Sequence, residues 1–145
     1  MKIKKILFPT DFSETTVHTA AFAADLAGKY GASIYILHVI YDITRDSGIY
    51  GSRMDLDSLY LEVRKSAETE MDRIASAFAE NLEVRKVIRI GSPYSDILSF
   101  ADEESIDLIV IGSHGKKGLG EVLFGSTAHK VIRRAKCPVL TVRER

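Results

Sequence analysis

The feature that most restricts what this chain can fold into is a repeated change of hydrophobic period. Short apolar, β-branched runs alternate with longer stretches in which apolar residues recur every three or four positions. Such a pattern predicts strands alternating with helices, and so a parallel sheet covered by helices. Strand-like runs are expected at residues 3–8, 33–40, 84–90, 107–111 and 139–142. Helical patterns fill the gaps between them. An alanine-rich helix is expected from about Ser13 to Tyr30, stopping at Gly31, and a second from about Leu56 to Ala79. In the second, Leu56, Leu59, Tyr60, Val63, Ala67, Met71, Ile74 and Phe78 are expected to form one buried stripe. A third begins at Ser92-Pro93, an N-cap followed by proline, and turns Ile97, Leu98 and Ala101 inward. A fourth runs from about Ser126 to Lys136, with Ala128, Val131, Ile132 and Ala135 on one face.

The strands differ in a way that predicts their order. The first (Ile6-Leu7-Phe8) and fourth (Leu108-Ile109-Val110-Ile111) are apolar without alternation, as expected of strands covered on both faces. The third carries Arg85, Lys86 and Arg89 and suits an edge, while the fifth is short and runs into Arg143-Glu144-Arg145. With right-handed crossovers, the expected fold is a single-domain α/β structure. It is an open five-stranded parallel sheet of order 3-2-1-4-5 with helices on both faces, Rossmann-like. The order 2-1-3-4-5 would bury the charged third strand. The preferred order puts the topological switch point between strands one and four, where ligands of open α/β sheets bind beyond the C-terminal strand ends. Pro9-Thr10-Asp11 and a glycine-rich segment fall there.

The 145 residues suit one domain. Lys+Arg and Asp+Glu both number 20, which argues against a general nucleic-acid or membrane-surface binder. The single cysteine, Cys137, allows no intrachain disulfide. Met1-Lys2-Ile3-Lys4-Lys5 lacks the apolar stretch of a signal peptide, and the apolar run 108–111 is far too short for a membrane span. The expectation is a cytoplasmic protein.

The segment from Gly112 to Thr127 carries the chemistry. Its glycines let the backbone approach a ligand closely, and convergent N–H groups in such a loop form an anion nest. The fourth helix starts at its end and offers further N–H groups and its dipole. Ser126 and Thr127 add hydroxyls, and Lys116 and Lys117 add charge. All of these point to phosphate. A Walker A loop is excluded because Glu121 follows Gly120 where lysine is needed. The dinucleotide pattern beginning at Gly118 fails at Leu123, and the segment does not follow the first strand. A receiver domain would want an acid where Gly91-Ser92 stands. The spacing that remains is G-x2-G-x9-G-[ST], met by Gly112, Gly115, Gly125 and Ser126.

Here the sequence resembles the universal stress protein family, in its ATP-binding branch, which has the adenine nucleotide alpha hydrolase-like variant of the fold. The resemblance spans the chain: the opening KKILFPTDFSE, Leu37-His38-Val39, the run Asp107 to Gly115, and the closing Ala135 to Val142. It implies that Gly112, Ser113, His114, Gly115, Lys116, Lys117 and Gly118 form the first part of a phosphate and ribose loop. Gly125, Ser126, Thr127 and Ala128 would hold the remaining phosphate oxygens. Pro9, Thr10 and Asp11 would line the ribose and adenine side, and the Val39 backbone would meet the adenine edge. ATP is the implied ligand, with Mg²⁺, where bound, held through the phosphates. A homodimer through the fifth strand is implied too, and a short exposed edge with Val139, Leu140 and Val142 is physically suited to it.

Plainer readings compete at several positions. Asp11 suits capping of the first helix, with Glu14 completing a capping-box-like pair; ribose contact is the role the resemblance favours. The histidines (His18, His38, His114 and His129) show no metal-ligand spacing, and His38 reads as a satisfied structural residue. Lys130, Arg133, Arg134 and Lys136 fit the C-terminal dipole of a helix rather than a nucleic-acid surface. Cys137 reads as a small buried side chain. The stretch 41–53 suits a lid beside the crevice or a connection with no role. Two further classes stand beside a regulatory nucleotide-binding module in stress response. One is a slow ATPase or phosphotransferase, against which no confident general base or acidic pair is found. The other is a module for AMP or another ligand.

Overall fold

The computed structural model describes residues 1–44, 53–113 and 125–144. Its elements are β1 (Lys5–Pro9), α1 (Thr16–Tyr30), β2 (Ser33–Tyr41), α2 (Arg53–Ser76), β3 (Val84–Gly91), α3 (Pro93–Glu103), β4 (Leu108–Gly112), α4 (Ser126–Arg134) and β5 (Val139–Val142). The five strands form one sheet of order β3-β2-β1-β4-β5, parallel at every pairing. This is the order expected from the strand compositions.

Successive residues of a strand point to opposite faces, and each face has its own core. Ile6, Phe8, Ile34, Ile36, Leu108 and Val110 pack under Ala20, Ala23 and Ala27 of α1 and under Met71 and Ile74 of α2. Leu7, Tyr35, Leu37, Ile109 and Ile111 pack under Ile97, Phe100 and Ala101 of α3 and under Ala128 and Val131 of α4. The unbroken apolar runs of β1 and β4 follow from this double coverage. Small side chains let α1 approach the sheet closely, and Gly31 ends it in the left-handed region (φ 63°), where glycine carries no Cβ penalty.

The edge position of β3 accounts for its charges. Arg85 pairs with Glu83, Lys86 with Asp72 and Arg89 with Glu103, while Arg85 and Arg89 also lie over the rings of Tyr35 and Phe100. Long cationic side chains on an edge strand also discourage pairing with a foreign strand.

Three expectations are corrected. First, α1 begins at Thr16, not near Ser13. Phe12 takes up the left-handed region (φ 61°), and the Asp11 carboxylate accepts the Ser13 amide at 3.0 Å, so the chain turns before it can coil. Thr15, not Asp11, is the N-cap, and it has no side-chain cap bond. Second, the stripe on α2 is buried only in its C-terminal half. Ala67, Met71 and Ile74 are in the core, with Phe78 just past the helix end, but Leu59 and Val63 are 45% and 38% exposed. A 24-residue helix is about 36 Å long, whereas the eight residues of β3 span about 26 Å, so its first turns overhang. Third, α4 ends at Arg134 and Ile132 is exposed; Ala128 and Val131 are its buried residues, and Ala135, just past its end, packs against the same core. Ala135 turns extended instead of extending the helix.

Candidate nucleotide-binding crevice

β1 and β4 lie side by side, with Ile6 opposite Leu108 and Leu7 opposite Ile109. The crossovers leave them in opposite directions, α1 from β1 to one face and α4 from β4 to the other. A crevice therefore opens beyond their C-terminal ends. Pro9, Thr10 and Asp11 bound it on the β1 side, and Gly112 and Ser113 on the β4 side.

Thr10 is the hub of the β1 side. It is 9% exposed, and each of its polar atoms is engaged. Its amide donates to the Leu37 carbonyl at 2.9 Å. Its carbonyl accepts from His38 Nδ1 at 2.8 Å. Its hydroxyl lies 3.0 Å from that of Thr16 and accepts the Phe12 amide at 3.0 Å. The Phe12 ring stacks on the His38 imidazole, with centroids 4.1 Å apart. A left-handed conformation costs a residue with a Cβ roughly 1–2 kcal/mol, and these contacts hold Phe12 there. The reading of His38 as a satisfied structural residue fits this geometry. What it did not reach is the link from His38 to the crevice loop, because the φ of Phe12 is set by tertiary contacts with no local signature.

Val39 stands two residues beyond Leu37, which pairs with Pro9 at the end of the β1–β2 ladder. Leu37 turns its carbonyl to the β1 side, and residues two apart in a strand direct their peptide groups to the same edge. The peptide groups of Val39 therefore face the space past the end of β1. Its side chain packs with the core under α3 and α4.

On the other side, Ser113 is 1% exposed. Its amide donates to the Val142 carbonyl at 2.9 Å, and its carbonyl accepts the Gly125 amide. The end of β4 and the start of α4 are thus bonded directly. Gly125 is the N-cap of α4, with φ −58° and ψ 153°, and its carbonyl accepts the His129 amide at 3.0 Å. Ser126 is exposed and Thr127 half-buried at the first turn, while Ala128 is buried in the core, so Ala128 has only its backbone to offer a ligand. The first turn of α4 contains no acid and no side-chain cap, and Arg133 and Arg134 lie in its last turn. Within the helix its N–H groups and positive dipole end are therefore not offset by a carboxylate, an arrangement suited to an anion.

The Ser113–Gly125 bond joins Gly112 and Ser113 to Gly125, Ser126, Thr127 and Ala128, while Pro9, Thr10 and Asp11 continue from β1, the neighbour of β4, and Val39 lies on β2 beyond the Pro9–Leu37 pair. His114, Gly115, Lys116, Lys117 and Gly118 lie outside the described residues. Among the described residues no three His, Cys, Asp or Glu side chains converge to hold a metal, and no helix is long and apolar enough to cross a membrane.

Comparison with known proteins agrees with this architecture. The Universal stress protein family model matches residues 2–143. A universal stress protein of Methanocaldococcus jannaschii is 33% identical, over 97% of this chain and 82% of its own. The solved structure of the hypothetical protein MJ0577 superimposes with a TM-score of 0.89 at 31% identity, covering 100% of this chain and 99% of that one. The structure of the universal stress protein from Archaeoglobus fulgidus in complex with dAMP gives a TM-score of 0.65 at 26% identity, covering 97% and 98%. Matched along nearly all of its length, the chain belongs to the universal stress protein family.

Proposed function

We propose that this protein is a regulatory nucleotide-binding module that holds ATP in the crevice between β1 and β4. The observation that carries the reading is the Ser113–Gly125 backbone bond. It fixes the acid-free N-terminus of α4 at the end of β4, across the crevice from Thr10 and Asp11. A phosphate chain at α4 then has its nucleoside directed toward β1 and β2. The dAMP complex of the A. fulgidus relative supports an adenine nucleotide as the ligand class.

In this reading Pro9, Thr10 and Asp11 line the ribose and adenine side, and the Val39 backbone meets the adenine edge. Gly112, Ser113, His114, Gly115, Lys116, Lys117 and Gly118 supply the first part of the phosphate cradle. Gly125, Ser126, Thr127 and Ala128 complete it with N–H groups and hydroxyls. Bound Mg²⁺ is held through the phosphate oxygens. The protein acts as a cytoplasmic homodimer that pairs through β5. The carbonyls of Pro138 and Val142 face β4, so the peptide groups of Val139 and Thr141 face outward along a free edge, ready to accept a second strand.

The test is to denature the purified full-length protein, identify any released nucleotide by chromatography, and titrate the nucleotide-free protein with ATP, ADP and AMP. Released adenine nucleotide or saturable binding is the expected result. No nucleotide and no binding of any of the three would overturn the reading.

A further inference from the structure

The link between His38 and the crevice loop has a consequence for the ligand. A carbonyl oxygen can only accept, so at 2.8 Å from the Thr10 oxygen the His38 Nδ1 must carry the proton. The same imidazole carries the Phe12 ring on its face. One side chain of β2 thus holds both the backbone of Thr10 and the strained residue two positions later. The remaining ties of the loop depend on that placement. The Phe12 amide reaches the Thr10 hydroxyl, which also meets Thr16 at the start of α1, and the Ser13 amide reaches the Asp11 carboxylate. Without His38, the left-handed Phe12 loses its stacking partner and the Thr10 carbonyl loses its donor, so residues 9–13 relax toward an ordinary turn.

We infer that His38 is a positioning residue for nucleotide binding: it preorganises Thr10 and Asp11 as the nucleoside-side wall. This rests on the nucleotide reading above and deepens it. Ordering a loop at the moment of binding weakens affinity, and a wall already ordered avoids that cost. His38 is on the opposite side of the crevice from α4, so its contribution is independent of how many phosphates the ligand carries.

The experiment measures binding of ATP, ADP and AMP to wild type, His38→Ala, His38→Asn and Ser126→Ala by calorimetry, with amide hydrogen exchange on each free protein. Loss of one hydrogen bond and one ring stack corresponds to roughly tenfold in affinity. His38→Ala is expected to weaken all three nucleotides by about that common factor and to speed exchange at Thr10, Phe12 and Ser13 alone. Asparagine places an N–H near the position of Nδ1 and is expected to restore part of both. Ser126→Ala is expected to weaken ATP more than AMP. An unchanged affinity in His38→Ala would overturn the inference. So would a loss that grows with phosphate number, or exchange raised equally across the sheet. Failure of wild type to bind any of the three would instead overturn the nucleotide reading itself, so the two failures are distinguishable.

Discussion

The Gly125 amide donates to the Ser113 carbonyl, while the Ser113 amide donates to Val142 on β5. One buried residue thus ties the end of β4 to the neighbouring strand and to the first turn of α4. The direction of the α4 dipole relative to the sheet is set by backbone bonds of residue 113. The side chains of Ser126 and Thr127 are therefore left to serve whatever lies in front of the helix.

The two halves of α2 differ sharply in burial, and stability should follow burial, not hydrophobicity. Leu7 of β1 is fully buried, and Leu59 in the overhanging half of α2 is 45% exposed. Leu7→Ala is expected to cost roughly 2–5 kcal/mol through lost transfer energy and a residual cavity. Leu59→Ala is expected to stay within about 0.5 kcal/mol of wild type. Urea denaturation of both variants checks this, and a comparable loss for Leu59 would contradict the overhang of α2.

Gly91 leaves room for the side chain of its neighbour Asp96. A Cβ there would collide with the Asp96 carboxylate, which accepts the Ser92 amide at 2.9 Å and so serves the start of α3 in place of a Ser92 side-chain cap. Gly91→Ala is expected to displace that carboxylate and cost about 0.5–2 kcal/mol, the range of a lost helix cap. In the Asp96→Ala background the same substitution is expected to cost less, because the clash is gone. Additive losses in the double-mutant cycle would contradict the assignment.

Leu140 lies on the outer strand with 37% of its surface exposed. If two copies pair along β5, Leu140→Arg places a charge against its twofold mate. Sedimentation is expected to show a dimer for wild type and a shift toward monomer for the variant, with little change in thermal unfolding of the monomer. A wild-type protein that sediments as a monomer at all concentrations would contradict the pairing.

Cys137 packs against the α3–α4 core, and desolvation by that burial pushes its thiol above the ordinary range. Since burial disfavours the thiolate, less of it is present at any given pH. Alkylation by iodoacetamide between pH 7 and 9 is expected to be slower than for an exposed cysteine in a short peptide. Equal rates across that range would contradict the burial of the sulfur.

Much of this fold was legible in the residues, for identifiable reasons. The sheet order could be read because charge and apolar runs sort strands into edge and centre, as Arg85 and Ile109 do. The switch point followed from the order, since it depends only on topology, and Pro9, Thr10, Asp11, Gly112 and Ser113 lie at the C-terminal ends of the two strands that flank it. Other features depended on quantities that a period cannot encode. Apolar periodicity marks the face of α2 but not its length relative to the strands beneath, so the exposure of Leu59 and Val63 was hidden. Ile132 matched the helical period, yet it is 40% exposed while Ala128 and Val131 are buried. The delayed start of α1 depends on Phe12 sitting at positive φ against His38, a contact between residues 26 positions apart with no local signal.

The central claim is that the acid-free N-terminus of α4, bonded to the end of β4, holds the phosphates of an adenine nucleotide. Gly125 has φ −58°, a value open to any residue, so its lack of a side chain matters for space in front of the helix and not for the backbone. The most direct measurement is calorimetric titration of ATP into the full-length protein and into Gly125→Val, with thermal unfolding as a control. Saturable binding to wild type, lost in a variant that unfolds within a few degrees of it, is the expected result. Equal ATP binding by the two proteins, or none by wild type, would contradict the claim.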